Sequence, residues 1–73
     1  MPKKVLYTSQ SCGHCDELKQ KIKEKGLKLK GITLIDCDSN SGLCDRRKVR
    51  YTPTLEIGTQ KITGNDQILK KLA

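Results

Sequence analysis

Two cysteines with two residues between them, Cys12 and Cys15, stand where a β-prone run ends and helical spacing begins. Lys4-Val5-Leu6-Tyr7-Thr8 is short and almost continuously apolar, the pattern of a strand buried on both faces and hence central in a sheet. From Gly13 to Lys25 the period changes: Cys15, Leu18 and Ile22 fall on one helical face, while Asp16, Glu17, Lys19, Lys21 and Lys23 face water. Charge agrees with this direction, since Asp16 and Glu17 lie in the first turn and lysines in the later ones, with Glu17 and Lys21 paired one turn apart. Gly26 supplies the left-handed residue that ends such a helix.

A second strand is expected at Leu29 to Cys37, carrying Ile32, Leu34 and Ile35, with Gly31 as a bulge. Strand, helix and strand make one βαβ unit, whose right-handed crossover sets both strands parallel and brings their C-terminal ends to one edge. Asp38-Ser39-Asn40-Ser41-Gly42 reads as a loop leading into a short helix over Leu43 to Lys48. After Thr52-Pro53, the stretch Thr54-Leu55-Glu56-Ile57 alternates as a half-buried strand, Gly58-Thr59 suits a two-residue turn, and Gln60 to Thr63 returns beside it. Asn65 is an N-cap candidate for a last helix with Ile68, Leu69 and Leu72 on one face. The order βαβ, short helix, ββα predicts an α/β fold, a four-stranded mixed sheet flanked by helices, occupying residues 1–73 as one domain.

With 73 residues and an apolar share of 34%, the core is thin and a disulfide or metal would help it. The first residues lack the long apolar stretch and cleavage site of a secretory signal, and nothing is long enough to span a bilayer, so the expected location is cytoplasmic, away from membranes. There a cysteine pair is more often catalytic or metal-binding than structural. The formal charge of +7 would draw nucleic acid or acidic protein. Lys19, Lys21, Lys23, Lys25, Lys28 and Lys30 alternate with other residues, however, and no interleaved aromatics offer bases a platform, which favours acidic protein partners over nucleic acid. The chain is read as a monomer.

The position of Cys12-Gly13-His14-Cys15 has chemical content. A helix N-terminus offers unpaired N–H groups and the positive end of a dipole, which lower the pKa of a thiol placed there. Cys12 has that place, and Cys15, one turn on, points back beneath the helix where it can resolve a mixed disulfide. A C-x-x-C beside a βαβ pattern is a recognised redox signature, so the catalytic pair is Cys12 and Cys15. Gly13 and His14 modulate it: a protonated His14 would add positive charge beside the thiolate, although an exposed turn residue without a role is the alternative. A purely structural Cys12–Cys15 disulfide would constrain too short a loop to stabilise much.

On these residues the chain resembles a glutaredoxin or glutaredoxin-like redoxin of the thioredoxin superfamily, over essentially its whole length. The Cys12-Gly13-His14-Cys15 tetrad is identical to that of protein disulfide isomerase domains, where most glutaredoxins carry Pro-Tyr between the cysteines. The resemblance implies a thioredoxin-like fold and thiol–disulfide exchange with protein disulfides. It implies a cis-proline at Pro53 packed by the cysteine pair, with Thr52 offering backbone bonds to substrate; from residues alone, an ordinary trans proline opening a strand is an equal reading. Gly64-Asn65-Asp66 is similar in place to the turn by which glutaredoxins bind glutathione, which makes these three residues substrate-binding candidates and glutathione a candidate reductant, with no tightly bound cofactor. Asp66 is also favourable in the first turn of a helix without any ligand. Otherwise a reductase supplies the electrons.

Cys37 and Cys44 lie outside the usual glutaredoxin pattern. Three uses compete: a second disulfide that braces the core, a couple that exchanges electrons with the active-site pair, and buried free thiols. Other function classes start from the same residues, namely a zinc site on the four cysteines and a non-catalytic interaction module that kept the fold. The wide second pair argues against zinc, and no metal is expected.

Overall fold

β1 (Lys4–Thr8) runs through the middle of the sheet in the computed structural model, which describes residues 3–27, 29 and 31–72. It is followed by α1 (Gly13–Glu24), β2 (Ile32–Asp36), α2 (Ser41–Arg46), β3 (Thr54–Ile57), β4 (Gln60–Thr63) and α3 (Asn65–Leu72). The strand order is β2-β1-β3-β4, with β1 parallel to β2 and antiparallel to β3, and β4 antiparallel to β3. This is the four-stranded mixed sheet that the element order predicts.

Register builds the core. Leu6 lies opposite Leu55, and Leu55 opposite Ile62, so one apolar row crosses three strands. Leu18 and Ile22 of α1 and Ile68 and Leu69 of α3 close over it, as their helical spacing requires. A fully buried side chain of this kind contributes roughly 1.5–3 kcal/mol, so a small core tolerates few losses. α1 ends as its Gly26 foretells: Gly26, at φ +65°, donates to the Lys23 carbonyl and Leu27 to that of Ile22, the paired bonds of a Schellman motif.

Several elements depart from expectation. β2 is shorter than Leu29 to Cys37, part of which lies outside the described residues, and Gly31 is no bulge. At φ +83° it sits in the turn before the strand, where Ile32 N–H bonds back to Leu29. β3 is not half-buried, because Thr54, Leu55 and Glu56 are all buried. β3 is paired on both edges, and the face opposite the apolar row is covered too, so the Glu56 carboxylate accepts from the buried Tyr7 hydroxyl at 3.1 Å and lies 3.9 Å from Lys61. α2 starts two residues earlier than Leu43 and stops before Lys48, which adopts φ +60° as the chain leaves the helix. Asn65 is the first residue of α3 and does not cap it; Gly64 precedes the helix, and its carbonyl accepts from Ile68 N–H. The Asn65 amide instead donates to the His14 carbonyl at 3.1 Å, tying the start of α3 to the start of α1.

Candidate active site

Cys12 is the N-cap of α1. Its backbone is extended and its carbonyl accepts from the N–H groups of Cys15 and Asp16, which leaves the half-buried sulfur at the helix start. Two acids at the end of β2 hold the loop that delivers it. The Asp38 carboxylate accepts from the Ser9 hydroxyl and the Gln10 N–H, each at 2.9 Å, and the Asp36 carboxylate accepts from the Gln10 amide at 2.8 Å. Cys37 N–H continues the parallel ladder one step further, to the Thr8 carbonyl at 2.7 Å. Sequence reasoning passed over Asp36, Asp38 and Gln10, although the shared edge of parallel strands was the signal that could have found them.

The Thr52–Pro53 peptide bond is cis, and the Cys12 thiol donates to the Thr52 carbonyl at 3.2 Å. Tyr51, just before, has its carbonyl held by the Thr54 hydroxyl. Burial alone would push the Cys12 thiol up, but hydrogen bonds from the side chains of Thr52 and Cys15 and from the backbone N–H groups of Cys15 and His14 outweigh it and hold the pKa below the ordinary thiol value. Cys15 is fully buried, and that burial, followed by its bond to Cys12, pushes its own pKa up. The half-buried Cys12 thiol is thus easier to ionise than an ordinary cysteine, and the buried Cys15 thiol beneath it harder. This asymmetry is what sequential thiol–disulfide exchange needs.

An open groove runs beside the pair, lined by His14 from α1, by Thr52 and Pro53 from the proline loop, and by Gly64, Asn65 and Asp66 at the start of α3. The structure therefore gathers these sequence-derived candidates on one surface next to Cys12. Cys37 and Cys44 are elsewhere: they form a disulfide with Cα atoms 5.7 Å apart, which removes the reading of buried free thiols. Because they are bonded to each other, the four cysteines do not offer four thiolates to one ion.

Comparison with known proteins bears on this geometry. The family model described as Thioredoxin matches residues 3–71. The chain belongs to the thioredoxin family. It is 39% identical over 56 residues to protein disulfide-isomerase A3 of Gallus gallus, a match covering 73% of this chain and 11% of that protein, so the chain spans about a tenth of the relative's length. Among solved structures, the J-Trx1 fragment of ERdj5 superposes with a TM-score of 0.70 at 23% identity, over 93% of this chain and 38% of that one. A buckwheat glutaredoxin–glutathione complex superposes with a TM-score of 0.59 at 22% identity, over 96% and 67% respectively. These likenesses establish the thioredoxin-like fold, and family membership supports thiol–disulfide oxidoreductase chemistry in general.

Proposed function

We propose that this chain is a thiol–disulfide oxidoreductase that exchanges electrons with protein disulfides through a Cys12–Cys15 couple. The observation that carries the reading is the placement of the Cys12 sulfur at the open start of α1 against the Thr52 carbonyl, with Cys15 buried behind it. The Cys12 thiolate attacks one sulfur of the substrate disulfide, and the other sulfur leaves as a thiolate that takes up a proton. Cys15 then gives up its proton and attacks the Cys12 sulfur, releasing the second substrate thiol. The substrate gains two electrons and two protons, and the enzyme is left with a Cys12–Cys15 disulfide. Cys12, Cys15, Thr52 and the groove come from one chain, so a monomer suffices.

An external reductant must reopen that bond. Gly64, Asn65 and Asp66 form one wall of the groove, and glutathione is the small molecule proposed to lie there; a dithiol reductase is the other electron source. The compartment proposed is the cytoplasm, where either is at hand. The test is catalysis: with excess dithiol present, the chain accelerates reduction of a protein disulfide well beyond the dithiol alone, and an unchanged rate would overturn the proposal. Replacing the dithiol by glutathione with its reductase, or by a thioredoxin reductase system, identifies the electron source.

The thiolate is the nucleophile, so a depressed pKa moves reactivity to lower pH. Alkylation of reduced protein is therefore expected to label Cys12 with a midpoint below that of an ordinary thiol, while Cys15 resists until higher pH. His14 is proposed to favour the Cys12 thiolate through its positive form, so His14→Ala moves the Cys12 midpoint upward. Identical midpoints in wild type and variant would remove His14 from the mechanism.

A further inference from the structure

The stretch from α2 to the proline loop is the most basic part of the chain near the site: Arg46, Arg47, Lys48 and Arg50 are all exposed, and Tyr51 and Thr52 follow directly. Arg50 is only two residues from the carbonyl that meets the Cys12 thiol, at most about 7 Å along the chain. A shallow cleft opens there, lined by Lys48, Arg50, Tyr51, Thr54, Lys61 and Thr63 together with Val49. It shares Tyr51 and Thr63 with the groove beside the cysteines, so the two form one continuous surface. Tyr51 stands at the junction, 74% exposed, with an aromatic face open to a passing chain.

The two halves of this surface differ in charge. The groove over α1 and α3 is mixed, since Glu17 and Asp66 offset Lys21. The cleft has three cationic side chains and no acidic one in its lining. Among the described residues, Lys48 and Arg50 have no ion-pair partner, and Lys61 reaches only Glu56, whose other carboxylate oxygen is bound to the Tyr7 hydroxyl. Fifteen Lys and Arg against eight Asp and Glu leave seven cations in excess, and here some of that excess is concentrated in a concavity continuous with the groove that His14 and Thr52 line. A solvated outer face, such as the lysines of α1, has neither the concavity nor the continuity with the site.

We propose that this cleft selects protein disulfides whose reactive cysteine is flanked by acidic residues, the acidic flank lying across Tyr51 onto Lys48, Arg50 and Lys61 while the cysteine sulfur meets Cys12. The proposal deepens the oxidoreductase reading and rests on it. Opposite charge raises encounter and fixes which flank enters the cleft; like charge disfavours the wrong substrate. The interaction is screened beyond a Debye length of about 8 Å at physiological salt, which gives it a signature that packing contacts lack.

The test compares two synthetic peptides with the same internal disulfide, one flanked by glutamates and one by lysines, with the small neutral 2-hydroxyethyl disulfide as a flank-free substrate. The intact chain is used with excess dithiol. At low ionic strength kcat/KM is expected to favour the glutamate peptide by about tenfold, and the ratio to fall toward unity in high salt. Lys48→Glu with Arg50→Glu should abolish the preference and leave turnover of the neutral disulfide unchanged. Lys19→Glu with Lys23→Glu, the same change of net charge on the outer face of α1, should leave the preference in place. Equal rates for the two peptides would overturn the proposal, as would a preference that survives the first pair of substitutions or is lost equally with the second, which would assign it to the field of the whole molecule. A wild-type chain that fails on the neutral disulfide overturns the oxidoreductase reading and this proposal with it, whereas turnover of the neutral substrate without peptide preference overturns this proposal alone.

Discussion

Cys12→Ser is expected to lower disulfide-reductase turnover by more than about a thousandfold, because a serine hydroxyl is not ionised at neutral pH and forms no disulfide. The fold offers no substitute. Cys15 is fully buried and its pKa is pushed up by that burial, so the remaining thiol is neither reachable nor ionised when Cys12 is gone. Cys15→Ser has a different expected result. The Cys12 thiolate still attacks, but nothing beneath it releases the product, and a covalent adduct between Cys12 and one substrate cysteine accumulates. Intact mass measurement after mixing with an oxidised substrate would show that adduct, and thiol release would show the lost turnover. Retained activity in Cys12→Ser, or no adduct in Cys15→Ser, would mean that the roles of the two sulfurs are wrongly assigned.

Replacing the Cys37–Cys44 disulfide by two alanines is expected to lower stability by about 2 kcal/mol, the loop-closure entropy of a cross-link spanning seven positions. In a chain of this size that corresponds to a fall in Tm of roughly 8–16 °C. Total stability for such a length is only about 4–11 kcal/mol, so the change is a large fraction of the whole. The core explains why the cross-link matters. The row of Leu6, Leu55 and Ile62 with its helical cover lies on one face of the sheet, and Cys44 is buried away from that cluster. Its bond to Cys37 ties α2 to the end of β2, beside the Asp36 and Asp38 carboxylates that hold the loop before Cys12. Thermal unfolding of the double variant, compared with wild type with and without a strong reductant, measures the effect. An unchanged Tm would show that packing alone holds α2.

The place of Cys12 at a helix start, that helix and the fold class were legible in the residues because each follows from short-range physics. The apolar run through Leu6 and Tyr7 can only be a covered strand; Cys15, Leu18 and Ile22 share a face at helical spacing; and Gly26 ends the helix with the backbone that only glycine adopts at little cost. The hairpin of β3 and β4 follows from a two-residue turn at Gly58-Thr59 in the same way. What sequence reasoning mistook concerns neighbours brought from afar. Glu56 alternates with apolar residues and so reads as solvent-facing, yet it is buried because Tyr7, forty-nine positions away, brings a hydroxyl to it. Asn65 has the chemistry of a cap, but its amide is used on the His14 carbonyl.

The chain's local pattern thus determined where a thiol meets a helix start and how the strands and helices succeed one another, since hydrophobic period, turn residues and helix ends act over a few positions. The family resemblance already implied Pro53 beside the cysteine pair, but only the tertiary structure decided that the Cys12 thiol meets the Thr52 carbonyl, that Cys37 is bonded to Cys44, and that Lys48, Arg50 and Lys61 share one cleft with Tyr51. Those contacts join segments whose separation along the chain carries no periodic signal, and they exist only once the βαβ crossover and the hairpin have brought the ends of the strands together.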